Sequence, residues 1–292
     1  MTNGPLISTR AICHPRNARM ALLLLIFGLL TACKTSQEAA NAATQLTNAS
    51  QQLTAYYADL SKQAADYTTL NEMYSELMFQ LPQDAKVRAE ADKTEQELGK
   101  RLALAQALGR LVSAYSALAT TKSATDVSTA ASGLASACKS IAPMPGGSAI
   151  PDIVGQAAQQ LVEYLRAKKL RQSSGAISDI VAGVRQLFVS EMPVYESINR
   201  SRIEVAQTLA RELITRNVVD INPDLSLALK PFALNAKPVP SPPPAEFLSM
   251  QDVQIQRSGE QQTREFAANT EALSKALKAA SEQVNLVTRR KW

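Results

Sequence analysis

The sequence predicts an all-α protein: an elongated antiparallel helical bundle with coiled-coil-like seams, a proline-rich connection and a C-terminal helix. Three observations carry this prediction. Glycine is scarce, with 11 in 292 residues, while Ala, Leu, Gln, Glu, Lys and Arg, all good helix formers, abound. No stretch alternates apolar and polar residues convincingly, as a half-buried strand does. Apolar residues instead recur at alternating steps of four and three, the spacing of a heptad seam.

The first such seam runs Leu53, Tyr57, Leu60, Ala64, Tyr67, Asn71, Tyr74 and Met78. Its helix is expected to end near Leu81, before Pro82. Three tyrosines on one seam resemble a ligand platform, but rings at this spacing more often pack in a core, each hydroxyl reaching its rim. Asn71 on the seam is a candidate for fixing register.

A second helix is predicted over 84–121. Its first half carries Lys86–Glu90, Arg88–Asp92, Lys93–Glu97 and Glu97–Arg101, all four residues apart. Each acid in these pairs has a basic neighbour at helical spacing, so the cluster reads as a solvated face rather than a metal site or acid–base pair. The second half, "LALAQALGRLVSAYSALA", is apolar nearly all round and belongs in the centre of a bundle. Residues 119–141 are rich in Ala, Ser and Thr, and fit either a closely packed helix or a looser connection. They make a poor membrane-entering hairpin, since bulky apolar residues are missing and Lys122 and Asp126 interrupt.

After "PMPGGSAIP" a short helix is expected from 151 to about Leu170. A long one should follow from "SSGAISDIVAGVRQLF" to about Val219, with the stripe Ile177, Ile180, Val184, Leu187, Tyr195, Ile198, Val205 and Leu209. Pro193 removes a donor inside it, which predicts a kink or break. Residues 222–244 end in "KPVPSPPP" and read as a stiff extended spacer. The last helix, from Ala245, has a weak first half around Gly259. Its second half shows another seam: Phe266, Thr270, Leu273, Leu277, Ala280, Val284 and Val287. That seam is expected to dock on the first or second helix. The tail "RRKW" reads as a frayed chain end rather than a lipid contact.

The N-terminal region has its own logic. Arg10, Arg16 and Arg19 are followed by "MALLLLIFGLLTA", about 13 uncharged residues. Such a run is too short for a comfortable span, which needs roughly 20. It has the form of a secretory signal with small residues before the cut. Leu30, Thr31, Ala32 and Cys33 then form "LTAC". This resembles the lipobox of bacterial lipoproteins. The resemblance covers residues 10–34 and is specific because charge, apolar length and lipobox come in order. Met1 rather than Met20 is the preferred start, because it supplies the charged region. The resemblance implies lipid on the Cys33 thiol, cleavage before Cys33, and anchoring by two or three acyl chains. Lys34, where an aspartate would favour inner-membrane retention, implies the outer membrane, facing the periplasm. The predicted organisation is a signal peptide at 1–32, a tether at 33–45, a bundle at 46–221, the connection at 222–244, and the C-terminal helix with a basic tail at 245–292.

Composition narrows the chemistry. Without the leader's three arginines the net charge falls from +5 to +2, so a nucleic-acid partner is not expected. The single histidine, His14, lies in the leader, which leaves no imidazole for Ser-His-Asp or Cys-His catalysis or for zinc or haem sites. Cys138 in "GLASACKS" is expected as a small buried hydrophobe. No phosphate-binding glycine loop occurs. No catalytic residue, metal ligand or cofactor is therefore expected. The expected partners are the membrane, through lipid on Cys33, and an envelope protein that the sequence does not name. The expected role is a structural or protein-binding envelope module. The alternative is a membrane-active helical protein of the pore-forming type.

Overall fold

The computed structural model describes the backbone of residues 15–80, 84–118, 124–144, 153–166, 170–216, 218–219, 230–232 and 244–289, and most of their side chains from residue 41 onward. The protein is an all-α bundle. Its helices are α1 (Pro15–Phe79), α2 (Ala85–Leu118), α3 (Ala124–Ser140), α4 (Ile153–Arg166), α5 (Leu170–Thr215) and α6 (Ala245–Arg289). Among the described residues a 3-10 turn, Lys230–Phe232, lies in the connection before α6. Among the described residues there is no strand.

Local chemistry sets the helix ends. At the end of α1, Gln80 takes a left-handed φ of 51° and its N–H still donates to the Glu76 carbonyl at 3.1 Å. That conformation stops the helix, and Pro82 cannot resume it. Asp84 caps α2: its Oδ1 accepts from the Lys86 N–H at 2.8 Å, and its carbonyl accepts from Arg88 at 3.0 Å. Asp126 in the first turn of α3 and Lys139 in the last match the helix dipole. The Pro244 carbonyl accepts from Phe247 and Leu248 to open α6, with Glu246 in its first turn.

The packing order closes a ring. α1 packs on α2, α2 on α3, α3 on α4, α4 on α5, and α5 on α1, while α6 lies against both α1 and α5. Directions follow from cross-helix contacts. Thr68 donates to Glu95 at 3.1 Å and a Cβ at Gly109 would lie 3.7 Å from Ser50 Oγ, so α1 and α2 are antiparallel. Tyr57 meets Tyr195, and Arg216 reaches the Leu77 carbonyl, so α1 and α5 are parallel. Ser178 with Ser281 and Gln207 with Ile255 make α6 antiparallel to α5.

The core shows which faces the seams bury. On α1, Leu53, Tyr57, Leu60 and Ala64 are buried, while Tyr67, Asn71, Tyr74 and Met78 are only half-buried. The seam instead extends backward, through Ala42, Leu46 and Ala49. Residues 33–45, expected as a tether, are therefore helical, and core packing begins inside them at Ala42. Residues 124–140 resolve as a closely packed helix, burying Val127, Ala131, Leu134, Ala135 and Cys138. Pro193 does not break α5. The carbonyl it deprives of a donor is that of Val189, an exposed residue where water can replace the lost bond.

The C-terminal seam docks within the chain. Phe266, Thr270, Leu273, Leu277, Ala280 and Val284 are buried, and the Val287 side chain lies outside the described residues. Its partners are α1 and α5, not α2. Gly259, which weakened the helix prediction, has a packing reason. A Cβ there would fall 2.9 Å from Ile203 Cγ2 and 2.1 Å from Gln207 Nε2, so only glycine lets α5 and α6 approach this closely. Of the proline-rich connection, all but Lys230–Phe232 and Pro244 lies outside the described residues, as does the tail beyond Arg289.

Candidate functional site

The densest polar chemistry sits in the middle of the bundle, around Arg101 of α2. Of the four predicted intrahelical pairs, only Glu97–Arg101 forms among the described ion pairs. Arg88 turns to Glu72 on α1 instead. The solvated-face reading holds for the exposed residues 84–90, 92 and 93 and fails one turn later. Glu97 is 3 % exposed and Arg101 is wholly buried. The reason is that α2 enters the ring at this point, and Glu191 of α5, also wholly buried, meets it.

Every N–H of the guanidinium is used. Nε donates to Glu191 Oε2 at 2.8 Å and Nη2 to Glu191 Oε1, a bidentate fork. Nη2 also donates to the Ala142 carbonyl at 3.0 Å. Nη1 donates to the Glu97 carbonyl at 2.9 Å and to Glu97 Oε2 at 3.1 Å. Glu97 in turn accepts from the Ala142 N–H at 3.0 Å and from Lys100 Nζ at 2.6 Å. The segment after α3 is thereby pinned to α2 through both backbone groups of Ala142. Two carboxylates face one guanidinium and one ammonium, so the node is charge-balanced.

The node continues into tyrosines. Tyr195 Oη donates to Glu191 Oε2 at 2.5 Å, so its oxygen must accept from Tyr57 Oη, 3.1 Å away. The hydrogen bonds therefore run in one direction, Tyr57 to Tyr195 to Glu191, from α1 to one turn of α5. Burial raises both tyrosines above the ordinary phenol range, and the nearby Glu191 charge adds to this. Burial also works against ionised Glu97, but the Lys100, Ala142 and Arg101 hydrogen bonds outweigh it and hold its carboxyl low. Arg101 stands higher than a free guanidinium because Glu191 more than offsets the cost of burial.

An aromatic cluster surrounds this chain. Tyr56, Tyr57, Phe188, Tyr195 and Phe266 stack edge-on or tilted, with centroids 5.2 Å apart for Tyr56–Phe188 and 5.8 Å for Tyr56–Phe266. Tyr56 Oη also meets Thr270 Oγ1 of α6 at 3.0 Å. The seam tyrosine Tyr57 is thus core, as the sequence suggested, and its hydroxyl finds a partner inside rather than at a rim. Such a closed, saturated arrangement can orient helices. Arg101, Glu191, Tyr57 and Tyr195 are all buried at its centre.

Open features lie outside the node. A groove of about 1160 Å³ runs between α1, α2 and α3, lined by polar and small residues that include Gln51, Thr54, Gln106, Arg110, Asp126 and Thr129. A cleft of about 420 Å³ lies between α1, α2 and α5, beside Tyr67, Glu90, Thr94 and Pro193. Among the described residues no three of His, Cys, Asp and Glu converge as a metal site, and no helix is long and apolar enough to cross a membrane.

Of the residues singled out from sequence, Cys33 lies on the backbone of α1, nine residues before Ala42, and its side chain is outside the described residues. Cys138 is buried on α3. Sequence reasoning missed Glu191 altogether and misplaced Arg101. One signal was available: Arg101 directly precedes the apolar run that opens at Leu102, and a long cation beside a buried stretch asks for a buried acid. No family model, curated protein or solved structure matches this chain.

Proposed function

We propose that this protein is a lipid-anchored module of the bacterial envelope, held by acyl chains on Cys33 and acting as a structural or protein-binding scaffold. The observation that carries the reading is "LTAC" at the end of a charged, then apolar, leader. The fold supports it mechanically. α1 runs without interruption from the Cys33 position into the core at Ala42. Nine residues of helix span about 14 Å, so a lipid on Cys33 would hold the bundle close to the bilayer and in a fixed attitude. Lys34 favours the outer membrane, facing the periplasm. We assign the partner to the open groove between α1, α2 and α3, whereas the charged node is spent on internal contacts.

Metabolic labelling with a fatty-acid analogue tests the anchor. Label should enter the wild-type chain and vanish in Cys33→Ala, which should also remain uncut after Ala32. Label retained by Cys33→Ala refutes the anchor. For the scaffold role, photo-crosslinkers at Gln51 and Gln106 in the groove should trap a partner in cells, and one at exposed Gln261 on α6 should not.

A further inference from the structure

We infer that α3 and α4 form a flap, latched at Ala142, which lifts as a unit while α1, α2, α5 and α6 stay packed. Its movement makes and unmakes the groove between α1, α2 and α3. The flap stands on the packing alone; its consequence for a partner rests on that groove being the partner's seat.

The packing order sets this pair apart. α3 packs on α2 and α4, and α4 on α3 and α5. Among the described residues no Cα of either helix comes within 8 Å of α1 or α6, and none of α2 comes that close to α5. The pair therefore lies across the gap between α2 and α5, and lifting it gives up only those two faces. α1 keeps its contacts with α2, α5 and α6, and α5 keeps α6. Side-chain bridges hold α2 to α5 without the flap. One joins Arg101 to Glu191. Another joins Tyr115 Oη to Ser174 Oγ at 2.6 Å. Arg101 and Tyr115 stand fourteen residues apart on α2, about 21 Å along its axis.

The heaviest packing lies outside the flap. The aromatic cluster belongs to α1, α5 and α6. α3 buries Val127, Leu134 and Cys138 beside two alanines, and α4 buries Val154, Leu161 and Leu165 beside two more. Segments with few large buried side chains open at lower free energy than the whole fold. The latch is polar. The Ala142 N–H donates to Glu97 Oε2, and its carbonyl accepts from Arg101 Nη2. When the latch lets go, Arg101 keeps both oxygens of Glu191 and its contact with Glu97, so no charge is left unpaired. Asp126, Thr129, Ala130 and Gly133 of α3 form one wall of the groove. A partner seated there meets that wall only while the flap is down, so its binding and the latch support each other.

Cys138, buried on α3 one turn before Ala142, serves as the probe. Cys13→Ala with Cys33→Ala in the full chain leaves it as the sole thiol. A chromogenic thiol reagent should modify it far more slowly than in the urea-unfolded chain, and through the lifted flap rather than through global unfolding. Leu273→Ala on α6 should then leave the rate unchanged, whereas a global route would raise it about 30-fold or more. Glu97→Gln, which weakens the latch, should raise it about 10- to 100-fold. Hydrogen exchange should show the amides of α3 and α4 opening together, ahead of those of α1, α5 and α6. Should Glu97→Gln not fold, the wild type and Leu273→Ala still decide the route. Acceleration in Leu273→Ala in step with its loss of stability, an unchanged rate in Glu97→Gln, or α4 amides that stay protected while Cys138 reacts overturns the inference. Crosslinkers at Gln51 and Gln106 that trap nothing would instead strike only the groove reading, because thiol labelling needs no partner.

Discussion

Arg101 on α2 and Glu191 on α5 form a bidentate ion pair across ninety residues of sequence, both side chains wholly buried. Burying two charges is costly, and their attraction compensates only when every remaining hydrogen bond is made. Here all five guanidinium N–H groups are engaged, and Glu191 also accepts from Tyr195. The pair fixes the relative position of α2, α5 and the segment after α3.

Removing one partner should therefore cost far more than removing both. Arg101→Ala or Glu191→Gln is expected to destabilise by about 3–5 kcal/mol, because the other charge is left buried and unpaired. Arg101→Met with Glu191→Leu should cost much less than the sum of the single changes. Urea unfolding of the four proteins gives the coupling energy directly. Additive losses would show that the pair does not act as a unit.

Stability should fall at both ends of the pH scale, for different groups. Tyr57 and Tyr195 are held neutral in the fold, so their contribution is complete below about pH 10, where the unfolded chain's phenols begin to ionise. Above that the unfolded chain loses protons that the folded one keeps, and stability drops by about 1.4 kcal/mol per pH unit per tyrosine. Glu97 is shifted the other way. Its contribution is present above the ordinary carboxylate range, near 4.3, and is lost as the pH falls through its lower folded value. Tyr57→Phe should shallow the alkaline slope by one proton and cost about 1 kcal/mol at neutral pH, read from thermal melts across the range.

Gly259→Ala should destabilise despite alanine's better helix propensity. The added Cβ would collide with Ile203 and with Gln207, whose Nε2 donates to the Ile255 carbonyl at 3.1 Å. Overpacking costs about 1–3 kcal/mol, against a gain of about 1 kcal/mol in propensity. Gly133→Ala on α3, whose Cβ would meet nothing within 4 Å, is the matched control and should be neutral or stabilising. Differential scanning calorimetry of both variants distinguishes the two sites.

Leu273→Ala with Leu277→Ala should lower the melting temperature clearly, and equally at every protein concentration. Both leucines are buried against α1 and α5. Each truncation should cost about 2–5 kcal/mol. A melt that varies with concentration would mean that this face pairs between molecules instead.

Much of this architecture was legible from residue spacing alone. Steps of four and three placed the inner faces of α1 from Leu53 to Ala64 and of α6 from Phe266 to Val284, because burial on a helix follows its 3.6-residue period. Asp84 and Pro82 marked a helix start and stop, since caps act through neighbours in the chain. Composition left residues 33–292 without imidazole, and "LTAC" drew attention to Cys33. The tertiary structure decided whatever depends on which helices meet. Arg101 carries acids at helical spacing in its own helix, and only the arrival of α5 turned it from a surface cation into a buried one. The meeting of α6 with α5 rather than α2, close enough at Gly259 to leave no room for a Cβ, is likewise tertiary. The meeting of Ser178 and Ser281, more than a hundred residues apart in sequence, came from the antiparallel register of α5 and α6. Periodicity says which face of a helix is inward; it carries no information about which other face it will find there.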